Sequence, residues 1–177
     1  MNLAQIKNLK RWEPIFFLLV ALINMLPIFE SKFFGNMDGS SHLYNANVMK
    51  ELIFGNDQLL SQYYMFNPEQ VPNLLGHYIL VFFNLFAPSY VSEKILLVIY
   101  FLILPFSFRS LIRQVSSGKT ILSYLIFPFT YSYMFLLGFY NFSLAIAFMF
   151  LVISYWLKHR EDLSLIHISE PTRQKPI

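Results

Sequence analysis

Between Lys119 and Lys158 the chain carries no Asp, Glu, Lys or Arg, and most of what lies between is Phe, Leu, Ile, Tyr and Ala. Side chains of that kind, over so long a run, have to be buried in lipid or against other apolar helices. The whole chain shares the bias. It is 56% hydrophobic, 19% aromatic and only 13% charged, well below the roughly 25% charged usage of soluble domains. Its 20 Phe and 11 Tyr suit lipid and the lipid boundary, where rings with a polar edge collect. The net charge of +3 is no nucleic-acid signal, because no basic patch with stacking aromatics lies outside the apolar segments. Cysteine is absent, which removes disulfide and thiolate chemistry.

The last stretch, LSLIHISEPTRQKPI from Leu163 to Ile177, stands apart. LSLIHISEPTR matches, residue for residue, the translation of a transposase library adapter; Gln174 to Pro176 would correspond to a sample index and Ile177 to the start of the following primer. This predicts a non-native tail over 163–177 and a reading frame interrupted near Asp162, with a natural polar tail after a helix as the alternative. Setting the segment aside removes Arg173 and Lys175 from the 13 basic residues and Glu170 from the 10 acidic ones. It also removes His167 from the candidate ligands.

Charge asymmetry orients the remainder. Pro14 to Phe29, extended by Phe33 and Phe34, follows Lys7, Lys10 and Arg11. With no small-residue cleavage site after it, the segment reads as an uncleaved first transmembrane helix, 14–33, with a cytoplasmic amino terminus. Further apolar segments lie at 73–87, 91–112, 120–137 and 139–157. If all of them crossed, Arg109, Arg113, Lys119, Lys158 and Arg160 would lie outside, against the positive-inside bias. If 73–87, short and carrying Gly76 and His77, only dips into the outer leaflet, every basic cluster falls inside. Glu30, Asp38, Glu51, Asp57, Glu69 and Glu93 then face the other side. The expected fold class is an all-α membrane protein with about four transmembrane helices (14–33, 91–112, 120–137, 139–157). A large first extracytoplasmic loop, 30–92, would hold juxtamembrane helices and the half-helix 73–87.

Within that loop SSHLYNANVMKELIF, Ser40 to Phe54, carries a helix signature. Asp38, Ser40 or Ser41 can cap its start, Gly55 suits its end, and Tyr44, Val48 and Leu52 form an i, i+4 stripe suited to a membrane surface. A second helical piece is expected at Leu59 to Tyr64, followed by an extended link through Pro68 and Pro72. Pro27, Pro105 and Pro128 should kink their spans. No internal repeat or low-complexity tract stands out.

MDGSSHLYNA, FNPEQVPNLLGHYIL and FPFTYSYMFLLGFYNFSLA, in this order after a first helix leaving the cytoplasm, resemble the amino-terminal part of the GT-C superfamily of polytopic glycosyltransferases. More narrowly, they are similar to bacterial integral membrane proteins of that type, over about Ile15 to Trp156. The resemblance rests on topology and one acidic position more than on a sequence string. It implies a multi-pass protein of the bacterial inner (cytoplasmic) membrane that continues through further helices, with the cation that holds the lipid phosphate in that later part. It also implies a polyprenyl-phosphate-linked sugar as donor, a glycan or lipid as acceptor, and Asp38 as general base or, in some branches, a metal ligand. Tyr140 and Asn141 stand where several branches place another acid, which speaks against a metal-bound mechanism. No cofactor is certain, and a divalent cation is possible.

The chemistry that the resemblance implies asks little of these residues. Inverting glycosyl transfer needs one carboxylate to take the acceptor's proton, while a phosphate leaves without help from an acid. Asp38 can serve, its basicity raised by partial desolvation at the membrane face; equally, it can simply cap the helix that follows. His42, four residues on, shares a helical face with Asp38 and can bind substrate hydroxyls, or it can be a solvated or capping residue. His77 in the half-helix needs a partner or a cavity at membrane depth. Glu69 is either a second carboxylate of the same cavity or an ordinary loop acid. Tyr44 and Tyr140 are candidate substrate contacts, as is Asn141, which can instead cap the last helix; Tyr131, Tyr133, Phe139 and Phe142 fit an aromatic belt. Arg109 and Arg113 read as cytoplasmic anchors. No zinc spacing, phosphate loop or Ser-His-Asp pattern is present, so no metal ligands are assigned. Two other classes remain open: a flippase or transporter component for lipid-linked sugars, and a non-enzymatic membrane scaffold.

Overall fold

The computed structural model describes residues 3–55, 57–67, 69, 72–116 and 119–167, with side chains between 11 and 160 of these. Every regular element among them is helical. Helix α1 (Leu3–Asn24) passes into a 3₁₀ turn at Leu26–Phe29 that Pro27 starts. The loop helices are α2 (Gly39–Phe54), α3 (Leu60–Tyr63) and α4 (Leu75–Asn84). Then come α5 (Ser89–Val115), short pieces α6 (Phe127–Thr130) and α7 (Tyr133–Leu136), and α8 (Tyr140–His167). Three segments, Arg11–Phe29, Ser89–Val115 and Tyr140–Arg160, are helical, long and apolar enough to cross a membrane. The 27 residues of α5 rise ~40 Å, against a hydrocarbon thickness of about 30 Å. Large apolar side chains such as Phe16, Leu19, Ile23, Met149, Val152 and Trp156 are exposed, as lipid-facing positions are.

Side-chain pairings set the register of the bundle. Helices α5 and α8 run parallel and pack most extensively. At one end the Tyr140 hydroxyl donates to Glu93 Oε1 at 3.0 Å; further along, the Phe108 and Phe150 rings lie 5.2 Å apart, and Ser110 and Ser154 share a hydrogen bond of 2.7 Å. Helix α1 runs the other way. Lys94 near the start of α5 donates to the Ile28 carbonyl, while Arg109 grips the Glu13 carboxylate with both Nη atoms at 2.7 and 2.5 Å. Phe17, Ala21, Leu97, Phe101, Phe135, Leu144 and Ala147 fill the core between these elements, with Tyr100 stacked on Phe135 at 4.8 Å and 12°.

The segment expected to be one transmembrane helix, 120–137, is broken. It begins as a 3₁₀ run at Ile121–Ile126, turns α-helical with Pro128 in its first turn, leaves the helical region at Tyr131 (φ −95°, ψ 48°) and restarts where Ser132 accepts from the Phe135 amide. Proline starts a helical turn without losing a hydrogen bond but cannot extend an earlier one. The segment nonetheless climbs alongside α1. The Tyr124 hydroxyl donates to the Glu13 carbonyl, Thr130 Oγ1 to Asn24 Oδ1 at 2.6 Å, and the Tyr131 hydroxyl to the Asn24 carbonyl at 2.8 Å.

Arg109 also differs from its expected place as a solvated anchor. It is 4% exposed, paired with Glu13, bonded to Ser123 and set 4.4 Å over the Phe17 ring. Guanidinium planarity suits a bidentate carboxylate and an aromatic face together. Arg113 is exposed, as an anchor should be. Helix α2 starts one residue before the expected Ser40 and ends at Phe54 with Gly55 as its C-cap. Its packed face is Leu43, Ala46 and Val48, so the Tyr44–Val48–Leu52 stripe is split: Tyr44 is exposed and Val48 buried. Of the tail, 163–167 continues α8, and 168–177 lie outside the described residues, as do Pro68 and the side chain of His167.

Candidate functional site

The loop between α1 and α2 is held from two sides. The Met37 and Asp38 amides donate to the carbonyls of Leu136 and Leu137, at 3.4 and 3.0 Å. Gly138 makes this approach possible: its φ is +91°, and a Cβ there would sit 2.9 Å from the Asp38 nitrogen. On the other side, Asn36 Oδ1 accepts from the Gly39 amide at 2.6 Å while its Nδ2 donates to the Tyr140 hydroxyl at 2.5 Å. Tyr140 donates onward to Glu93 Oε1, and Glu93 Oε2 accepts from the Phe34 amide at 3.2 Å.

Asn36, not Asp38, therefore serves the first free amide of α2. Asp38 occupies the N-cap position but makes no side-chain cap bond, with backbone angles (φ −103°, ψ −3°) in the helical region. Side-chain capping wants an extended N-cap residue. The Asp38 carboxylate has no hydrogen bond or ion pair among the described residues, and Asp38 lines a cleft of about 430 Å³ with His42, Asn73, Phe139, Tyr140, Asn141, Phe142 and Ala145.

The far wall of the cleft is clamped by Asn141. Its Nδ2 donates to the Asn73 carbonyl at 2.5 Å, and its Oδ1 accepts from the Gly76 amide at 2.6 Å. Asn73 holds φ 67°, a left-handed conformation that Asn tolerates better than most residues. Asn141 thus fastens the start of α4 to the start of α8, and its amide is occupied by backbone.

His42 on α2 and His77 on α4 meet at 3.2 Å, Nδ1 to Nε2, with ring centroids 4.9 Å apart. Such a contact needs one ring nitrogen to donate and the other to accept, so it tolerates at most one added proton between the rings. The outer nitrogens, His42 Nε2 and His77 Nδ1, are buried without a partner. His77 borders a second, apolar groove of about 250 Å³ whose walls include Val48, Met49, Leu52, Met65, Phe66 and Leu74. The imidazole pair therefore separates groove from cleft. Burial, and then the neighbouring His42, hold His77 below the usual histidine range.

A His whose folded pKa is depressed is neutral in the native state, so its share of stability is complete above about pH 6.5 and is lost as pH falls toward the folded value. Thermal midpoints in detergent should fall between pH 7.5 and 5.5 for the parent chain, and His77→Gln should flatten that slope. Equal slopes in the two proteins would remove the pair from the account.

Comparison with protein-family models, with curated proteins and with solved structures found no match. The site has to be weighed on its geometry alone. Asp38, His42, Tyr140 and Asn141 are brought to one cleft, and His77 touches it through His42. Tyr44 is exposed and bonded to the Tyr64 hydroxyl at 2.6 Å, away from the cleft, and Glu69 is exposed, its amide bonded to Asn67. Tyr140 is buried, so it supplies an edge and a hydroxyl already bonded on both sides and offers no open stacking face.

Sequence reasoning missed Glu93, Asn36 and Asn73. Glu93 had a signal, since an acid inside an apolar span marks a functional or structural site by default. Among the described residues no group of three or more His, Cys, Asp or Glu could hold a metal ion.

Proposed function

We propose that this chain is the amino-terminal part of a GT-C-like membrane glycosyltransferase, with Asp38 as the general base that receives the acceptor's proton. The acceptor hydroxyl oxygen attacks the anomeric carbon of a polyprenyl-phosphate-linked sugar. The bond to the phosphate oxygen breaks with its electron pair leaving on phosphate, and the hydroxyl proton passes to Asp38. The acceptor is a glycan or lipid at the extracytoplasmic face of a bacterial inner membrane. In this reading the amino terminus is cytoplasmic, and the broken segment 121–136 is the fourth crossing beside Arg11–Phe29, Ser89–Val115 and Tyr140–Arg160. In the same reading the natural frame runs on past Asp162, in place of the adapter-like tail, into the part that holds the donor phosphate.

One observation carries the reading: a carboxylate without a partner among the described residues, on a residue that lines a cleft together with His42, Phe139 and Phe142. An acid that only capped α2 would bond that helix's free amides, which the Asp38 side chain does not do. Sidedness supports it as well. Arg11, Arg113, Lys119, Lys158 and Arg160 gather at the Glu13–Arg109 end of the bundle, while Asp38 lies at the opposite, Glu93 end. A transporter reading draws on ionisable groups inside the spans, yet Arg109 is satisfied by Glu13, and Glu93 by Tyr140 and Phe34.

The test uses membranes carrying the uninterrupted reading frame and a radiolabelled polyprenyl-phosphate sugar. Asp38→Asn should lower transfer about 10²- to 10⁴-fold at unchanged expression, and Asp38→Glu should keep a measurable part. Full transfer by the Asn variant would end the assignment. Because cysteine is absent, a single Asp38→Cys chain reports sidedness cleanly: a membrane-impermeant maleimide should label it from the extracytoplasmic side only.

A further inference from the structure

We propose that Glu93 is a positioning residue for Asp38, acting through Tyr140 and Asn36; the inference rests on the reading of Asp38 given above. Glu93 is 1% exposed, and no cation pairs with it among the described residues. Its neighbour Lys94 is turned instead to the Ile28 carbonyl. A buried carboxylate without a counter-ion is costly unless hydrogen bonds satisfy both oxygens. Here one oxygen takes the Tyr140 hydroxyl from α8 and the other takes the Phe34 amide from the loop that leads to Asp38.

Directionality makes the carboxylate the organiser. The Tyr140 oxygen already accepts from Asn36 Nδ2, so its own proton is committed to Glu93. With its Nδ2 so engaged, Asn36 keeps Oδ1 turned to the Gly39 amide. Gly39 leaves room for this, since a Cβ there would lie 2.2 Å from Asn36 Oδ1 and 2.7 Å from the Tyr140 hydroxyl. The consequence falls on Asp38. With Phe34 tied to Glu93 and Gly39 tied to Asn36, the backbone between is held, and Asp38 stays in the helical region where its side chain cannot cap α2. Its carboxylate is left facing the cleft.

Glutamine at position 93 cannot reproduce this. One end of its amide is a donor, and it would face either the Phe34 N–H or a Tyr140 oxygen already engaged by Asn36. The loop then loosens, and Asp38 is free to relax into the capping role its sequence position favours.

Two readouts test the proposal. In the first, single-cysteine Asp38→Cys chains in native membranes are labelled with a charged maleimide, with and without Glu93→Gln. Labelling at 38 should speed up about threefold or more, as expected when a locally held segment opens. A cysteine at buried Ala147 should stay unlabelled in both backgrounds, which separates local release from unfolding. An unchanged rate at 38, or labelling at 147 in step with it, overturns the proposal.

The second readout is transfer activity of the uninterrupted reading frame. Glu93→Gln should lower kcat about tenfold or more with donor KM unchanged, the pattern of an interaction that serves the transition state. Tyr140→Phe should do the same, and the double variant should be no worse than either single one, because all three break one chain of contacts. Additive losses would overturn the link. If Asp38→Asn keeps full activity, the catalytic reading falls, and labelling at 38 alone decides whether Glu93 positions that residue.

Discussion

Replacing Arg109 by Ala is expected to destabilise the bundle by ~3–5 kcal/mol, the cost of leaving one half of a buried ion pair without the other. Arg109 is 4% exposed on its side chain and Glu13 24%, so the carboxylate left behind is only partly covered, which places the cost at the lower end of that range. The loss reaches further than the pair. Arg109 also bonds Ser123 and covers the Phe17 ring, and the Glu13 carbonyl accepts from Tyr124, so α1, α5 and the start of 121–136 meet at this point. Unfolding in detergent, followed by the fluorescence of Trp12 next to Glu13, should show the drop in midpoint. The double change Glu13→Gln with Arg109→Gln should recover much of it, since a neutral hydrogen-bonding pair carries no orphaned charge. A midpoint that the single variant leaves unmoved would mean the pair is solvated.

Gly138→Val should be the most damaging change near the candidate site. A φ of +91° lies outside what a β-branched residue adopts, and strain of this kind costs about 1–3 kcal/mol by itself. The new Cβ would also press on backbone, 2.9 Å from the Asp38 nitrogen and 3.0 Å from the Gly39 nitrogen, where no side chain can swing away. The 3.0 Å bond from the Asp38 amide to the Leu137 carbonyl should break, lowering the thermal midpoint and raising maleimide labelling of a cysteine at position 38. Gly35→Ala is the matched control. Nothing lies within 4 Å of its would-be Cβ, so its effect should stay within about 0.5 kcal/mol.

Much of this was legible in the residues, and the failures have physical causes. The apolar run of α5 and the Ser40–Phe54 pattern ended by Gly55 are local signals, and the helices formed within a few residues of the expected bounds. The break inside 120–137 was only half visible. Pro128 announced a disturbance, but the restart at Ser132 and the turn at Gly138 depend on where the Asp38 loop docks, which no local window contains. Asp38, His42, Tyr140 and Asn141 do converge, because the first two share a turn of α2 and the last two open α8. Tyr44 and Glu69 do not; nothing in a single sequence tells which side of a juxtamembrane helix or loop faces the bundle. The exchange of roles between Asn36 and Asp38 was hidden for the same reason. Both are good capping residues, and the choice is made by Tyr140, more than a hundred positions away.

The interrupted course of 121–136 bears on how such a chain is made. A continuous helix satisfies its own backbone and can partition into hydrocarbon alone, whereas a broken one exposes polar groups that lipid does not solvate. Here the Thr130 carbonyl is met by Tyr100 and the Thr130 hydroxyl by Asn24, partners supplied by segments synthesised earlier. With 121–136 as the fourth crossing proposed above, release from the translocon should therefore wait until α1 and α5 are assembled as a template, with the interrupted stretch delivered last together with α8.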